Sequence, residues 1–151
     1  MKRASSCALI AACLSVVAAG SLTQAWSQQA SSTASPSLDY EFFKAKVQPI
    51  FLAKRPGHAR CVVCHTVNNA PFHLVSLSPG TATWDEAQSR QNFELVQRVV
   101  VPGYEGSKLL IHPLAEQAGG DPHHGGGQQF ASQDDQEWST LKAFVFGATL
   151  K

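Results

Sequence analysis

The sequence predicts a small all-helical domain with long loops. Three observations predict it. Several stretches repeat apolar residues at helical spacing, capping and stopping residues bracket those stretches, and no segment alternates convincingly as a strand. The 151 residues suit one domain. Hydrophobic content of 44% against 15% charged excludes a disordered chain. The formal net charge of +1 argues against a nucleic-acid binder.

The first stretch, "MKRASSCALIAACLSVVAAGSLTQAWSQ", starts with Lys2 and Arg3, runs apolar and uncharged from Cys7 to Ala19, and continues in small residues. This is the layout of a secretory signal peptide over residues 1–27, with cleavage after Gly20, Ala25 or Ser27. Two alternatives stay open. "IAAC" resembles a lipoprotein box at Cys13, which comes early in the apolar run. An uncleaved anchor would need a longer run. Membrane association is therefore expected only if Cys13 is lipidated or the signal is retained. Cleavage removes Lys2 and Arg3, lowering the net charge by two, and removes Cys7 and Cys13. The exported chain then keeps only Cys61 and Cys64, too few for a disulfide scaffold. Residues 28–38, rich in Ser, Ala and Gln, read as a flexible leader. Residues 39–151 form the domain, and no internal repeat appears in it.

Within the domain, "DYEFFKAKVQPIFLAK" is the first helix, with Phe43, Val47 and Ile50 on one stripe. Pro49 should kink it or start a second short helix. "TWDEAQSRQNFELVQRVV" is the clearest helix. Thr83 and Glu86 form a capping box, Phe93, Val96 and Val100 form the apolar stripe, and Pro102-Gly103 is the stop. "SKLLIH" adds a short turn, capped by Ser107 and ended by Pro113. In "ASQDDQEWSTLKAFVFG" Ser132 is the expected cap, with Asp135 completing the S-x-x-D pattern. Trp138, Leu141 and Val145 share a face, and Gly147 ends the helix. Asp134, Asp135 and Glu137 suit the helix dipole there and carry no assigned chemistry.

Between the first two helices lies Cys61-Val62-Val63-Cys64-His65, the C-x-x-C-H pattern of covalent haem attachment. On a helical turn, positions i, i+3 and i+4 share a face. The two sulfurs can then meet the two vinyl groups on one porphyrin edge, and His65 can reach the iron as proximal ligand. Its second ring nitrogen needs an acceptor, and a backbone carbonyl beside Pro71 is the expected one. The competing readings are a disulfide, a redox pair or half a zinc site. The redox pair lacks a βαβ context and zinc lacks a second C-x-x-C. One haem c per chain, covalently bound, is the expected cofactor.

The opposite face of the iron needs its own ligand, and the chain's only methionine is Met1. His58 and His73 lie too close to the attachment turn to cross over. "GGDPHHGGGQQF" carries His123 and His124 among glycines that let backbone approach a porphyrin. His124 is the expected distal ligand, with His112 in "LLIHPL" and His123 as alternatives. Phe42, Phe43, Phe51, Phe72, Phe93, Phe130 and Trp138 supply packing, some of it as cofactor wall. Lys44, Lys46, Lys54, Arg55 and Arg60 read as a solvated face that could steer an acidic partner.

Residues 40–148 resemble single-haem cytochrome c domains of exported bacterial proteins. The matching pieces are "VQPIF", "RCVVCHT", "RQNFELV", "VVPG", "SKLLIHPLAEQAGGDPHHGGGQQF" and the "W..L..FV.G" ending. The resemblance implies a small cytochrome c-like helical domain wrapped around one covalent haem, and electron transfer rather than enzymatic turnover. Electron transfer calls for redox partner proteins, and the signal-peptide layout implies a periplasmic or otherwise exported location. The chain departs from ordinary small cytochromes c in having His-Gly-Gly where they carry a distal Met-Pro. A haem peroxidase or small-gas sensor with a loose distal histidine, and a haem subunit of a larger redox complex, are the alternative expectations.

Overall fold

A computed structural model describes residues 35–67 and 72–151. The expected signal peptide, most of the leader and Pro71 lie outside the described residues. The described chain is all-helical, with no strand among its residues. The first helical stretch comprises α1 (Tyr40–Phe42), a π-helical turn (Phe43–Val47) and α2 (Gln48–Leu52). Asp39 caps it by accepting the Phe42 N–H at 2.6 Å. Pro49 has no N–H to donate and its ring would crowd the carbonyl one turn back. The wide turn spends an extra residue before it, so that Pro49 falls in the first turn of α2, where the missing donor costs nothing. Both sequence alternatives for Pro49, a kink and a new start, thus meet in one feature.

α3 (Cys61–His65) is followed by α4 (Glu86–Gln97). The capping box of α4 is built by Asp85 and Gln88, not by Thr83 and Glu86. Asp85 accepts the Gln88 N–H at 2.8 Å, and Gln88 Oε1 accepts the Asp85 N–H at 3.1 Å. The physical reason lies in Trp84, which is buried and donates its Nε1–H to the Val75 carbonyl at 2.7 Å. That anchor precedes an extended Asp85, so the helix begins two residues later than the pattern suggested. Glu86 is released to bind Lys44, the Tyr40 hydroxyl and Arg90.

α5 (Lys108–Ile111) starts after Ser107 and stops before Pro113, as the sequence suggested. Ser107 Oγ does not cap it. The hydroxyl is buried, accepts the Val101 N–H at 2.9 Å, and faces the Val101 and Tyr104 carbonyls. α6 (Gln136–Val145) is likewise capped by Asp135 rather than Ser132. Asp135 Oδ1 accepts the Glu137 and Trp138 N–H groups at 2.9 and 3.2 Å, while Ser132 Oγ accepts only from Asp134. Asp135→Ala is expected to cost about 0.5–2 kcal/mol, while Ser132→Ala costs less, as read by thermal or denaturant unfolding. Gly147 ends the helix at φ +82°. A Cβ there would stand 2.7 Å from Pro36 Cβ, so both conformation and space demand glycine.

The core joins the first and last helical stretches. Phe43 stacks obliquely on Phe93 and Phe144, with ring centroids 5.4 and 5.8 Å away. Trp138 is buried and donates its Nε1–H to the Leu110 carbonyl at 3.1 Å, joining α5 to α6. Residues 114–130 form a long loop whose ends are pinned together. Ala115 N–H donates to the Phe130 carbonyl at 2.9 Å, and Phe130 N–H to the Pro113 carbonyl at 3.0 Å. That loop carries His123 and His124. Among the described residues no helix is long and apolar enough to cross a membrane.

Candidate functional site

A cavity of about 390 Å³ opens between α3, α5 and the 114–130 loop. Its volume lies in the range of small-molecule and cofactor sites. Apolar walls come from Ile50, Phe51, Phe72, Leu109, Phe130 and Leu141. Phe43, Phe93 and Trp138 belong to the packing core instead. Cys61, Cys64 and His65 all line the cavity, as the helical spacing required. Cys61 and Cys64 are free thiols. Burial raises the Cys61 thiol above its ordinary range, and the neighbouring Arg55 charge only partly opposes this. That shift disfavours the thiolate at Cys61.

His65 is held by its own segment. Its Nδ1 lies 2.7 Å from the Phe72 carbonyl, and Leu74 N–H returns to the His65 carbonyl at 2.6 Å. A carbonyl only accepts, so Nδ1 carries the proton and Nε2 carries the lone pair. Burial lowers the His65 pKa, which keeps the ring neutral at pH 7. The acceptor sits at Phe72, the residue following Pro71. The sequence anticipated a carbonyl in this segment.

His124 faces the same cavity. Its Nδ1 lies 2.5 Å from the Gly127 carbonyl, which again leaves Nε2 as the free electron pair. The His65 and His124 rings are 6.1 Å apart by centroid and inclined by 17°. Two imidazoles bound to one metal at about 2.0 Å from opposite sides would have centroids about 6 Å apart. The observed spacing equals that length, and the same spacing separates His124 from His112. Among the described residues no group of three or more His, Cys, Asp or Glu side chains converges to hold a bare metal ion. A pair of imidazoles suits a metal that arrives with its other donors, as the iron of a porphyrin does. The thiols, the imidazole pair and the apolar walls therefore fit a covalently attached haem.

The structure brings the alternative ligands to the same cavity. His112 lines it, with its ring centroid 6.2 Å from that of His124. Its Nδ1 stands 3.0 Å from Asp121 Oδ2, but the approach is off the axis of a good hydrogen bond. Burial, then the Lys108 charge, lowers the His112 pKa. His123 also lines the cavity, through a residue whose main chain is tied to Asp121. His58 and His73 do not line it. His73 is half-buried, and its Nδ1 is 3.2 Å from the Val67 carbonyl.

Arg55 corrects the expectation of a solvated basic face. Its side chain is only 12% exposed, packs 4.8 Å from the Phe130 ring centroid, and pairs with Glu137. The pair fastens the segment before the attachment turn to α6. Glu137→Ala leaves a largely buried guanidinium without its carboxylate. Removing one partner of a fully buried pair costs about 3–5 kcal/mol, and the exposure of Glu137 reduces this to about 1–3 kcal/mol. Denaturant unfolding measures it, and an unchanged midpoint would contradict the burial argument. Sequence reasoning also passed over Asp121. The available signal was Asp-Pro followed two residues on by a main-chain donor, the pattern of an Asx turn.

No protein-family model, curated protein or solved structure matches this chain.

Proposed function

We propose that this chain is an exported single-haem c-type cytochrome, a small cytochrome c-like domain that exchanges single electrons with redox partner proteins. Cys61 and Cys64 would hold the haem through thioethers, and His65 and His124 would bind its iron. The observation that supports the reading is a pair of near-parallel imidazoles from two segments lining one cavity with both thiols. Each donates Nδ1–H to a backbone carbonyl, each keeps Nε2 free, and their centroids are 6.1 Å apart across a cavity walled by both thiols.

When bound, haem supplies one iron that alternates between Fe(III) and Fe(II). The chain's own groups set the conditions. Phe51, Phe72 and Phe130 give the cavity apolar walls. The carbonyls of Phe72 and Gly127 fix ring orientation and raise imidazole basicity. Two imidazoles favour the ferric state more than a histidine–methionine pair does, so the potential is lower than that of a methionine-ligated site. The two anchored rings would let that iron change charge with little movement of the chain.

The test is the purified exported protein. It is expected to be coloured, to keep its pigment in acidified organic solvent, and to give a low-spin ferric EPR signal. Its spectrum lacks a methionine-to-iron charge-transfer band. A colourless protein, or one whose pigment is extracted, would falsify the reading. The presence of His112 beside His124 favours one second reading, a peroxidase or small-gas sensor in which His124 leaves and an imidazole serves as acid–base group. Rapid carbon monoxide binding to the reduced wild-type protein distinguishes it, because two firmly held histidines resist that ligand.

A further inference from the structure

The loop carrying His124 makes few bonds of its own. His124 Nδ1 is paired with Gly127 in the same loop, and Gly126 accepts from Gln129 at 3.2 Å. Between the bonds that pin its ends, the stretch before His124 is tied to α5 through Asp121. Its Oδ1 accepts the His123 N–H at 2.9 Å. Its Oδ2 accepts from Lys108 Nζ at 3.1 Å and lies 3.0 Å from His112 Nδ1. Its own N–H donates to the Ile111 carbonyl at 2.8 Å. The side chain is 17% exposed, and the bonds from His123 and Lys108 hold its carboxyl below the ordinary carboxylate range. Gly120 seats it from the other side. A Cβ at Gly120 would stand 1.9 Å from the Leu114 carbonyl oxygen, so the chain there lies flat against the α5 exit.

We propose that Asp121 is the positioning residue for the sixth ligand, its carboxylate clamping the start of the His124 loop to the α5 segment and so setting where the His124 ring stands opposite His65. The inference rests on the haem reading above and adds the residue that governs distal ligand placement. Gly125, Gly126 and Gly127 follow His124 and give that loop wide backbone freedom. With Asp121 in place, the freedom is cut off at its first residue. Without it, His123 loses its main-chain acceptor, Lys108 and His112 lose their common partner, and the His124 ring spends part of its time away from the iron.

The experiment compares wild type, Asp121→Ala and Asp121→Asn as full-length haem-loaded proteins. It reads the ferric EPR spectrum and the rate of carbon monoxide binding after reduction. Asp121→Ala is expected to bind carbon monoxide at least ~10-fold faster and to show a high-spin fraction, the effect of losing one charge-assisted bond that holds the loop. Asp121→Asn keeps an oxygen acceptor for the His123 N–H but loses the charge that holds Lys108, and is expected to fall between wild type and Asp121→Ala in both low-spin fraction and rate, a graded recovery that general destabilisation would not produce. Wild-type spectra and rates in Asp121→Ala overturn the proposal. If Asp121→Ala does not accumulate, Lys108→Gln combined with His112→Phe removes the α5-side partners and leaves residues 120–128 intact. Faster carbon monoxide binding supports the clamp, and an unchanged rate overturns it. A wild-type protein without covalent pigment defeats the underlying reading first, before any variant is compared, and the proposal with it.

Discussion

Cys61→Ser combined with Cys64→Ser is expected to abolish covalent pigment completely, and each single variant to leave one attachment. The two sulfurs share the wall of one cavity and are the only cysteines among the described residues. No other side chain there can form a thioether. Intact mass and haem staining after denaturing electrophoresis read the result. The single variants should retain some stain and the double variant none. The effect is all-or-none because it removes a bond rather than weakening a contact. Covalent pigment in the double variant would sink the attachment argument, whatever the spectra showed.

His124→Ala is the second large effect. The variant is expected to lose the low-spin ferric signal and to bind carbon monoxide at least ~10-fold faster when reduced, equivalent to about 1.4 kcal/mol or more of lost distal hold. His123→Ala and His112→Ala should keep the low-spin signal. The comparison with His112 is the demanding one. Its ring is as near to His124 as His65 is, at 6.2 against 6.1 Å. The difference lies in anchorage. His124 donates Nδ1–H to a carbonyl, whereas His112 Nδ1 meets Asp121 off-axis. A low-spin signal lost in His112→Ala and kept in His124→Ala would reverse the assignment.

The same contrast explains what was legible early. Helices, stops and the attachment turn were read from patterns that span a few residues. Gly147 ends α6 and Pro113 follows α5 because local backbone chemistry leaves little choice. Cap identity was not legible. The capping pattern pointed to Thr83, and the buried Trp84 moved the start of α4 to Asp85. At α6, Asp135 took the two first-turn N–H groups while Ser132 served a turn upstream. Arg55 was misread for a related reason. A cation in a basic run looks exposed until a carboxylate 82 positions later closes over it.

By itself, the sequence determined the helical class and one face of one turn holding two thiols and an imidazole, because residues at i, i+3 and i+4 converge without help from distant chain. Only the tertiary structure decided which imidazoles share a cavity with His65, which carbonyl anchors the His65 and His124 rings, and that Asp121 ties the His124 loop to α5. Those relations join segments tens of residues apart. Their geometry comes from the packing of the core between them, and no short-range spacing rule encodes it.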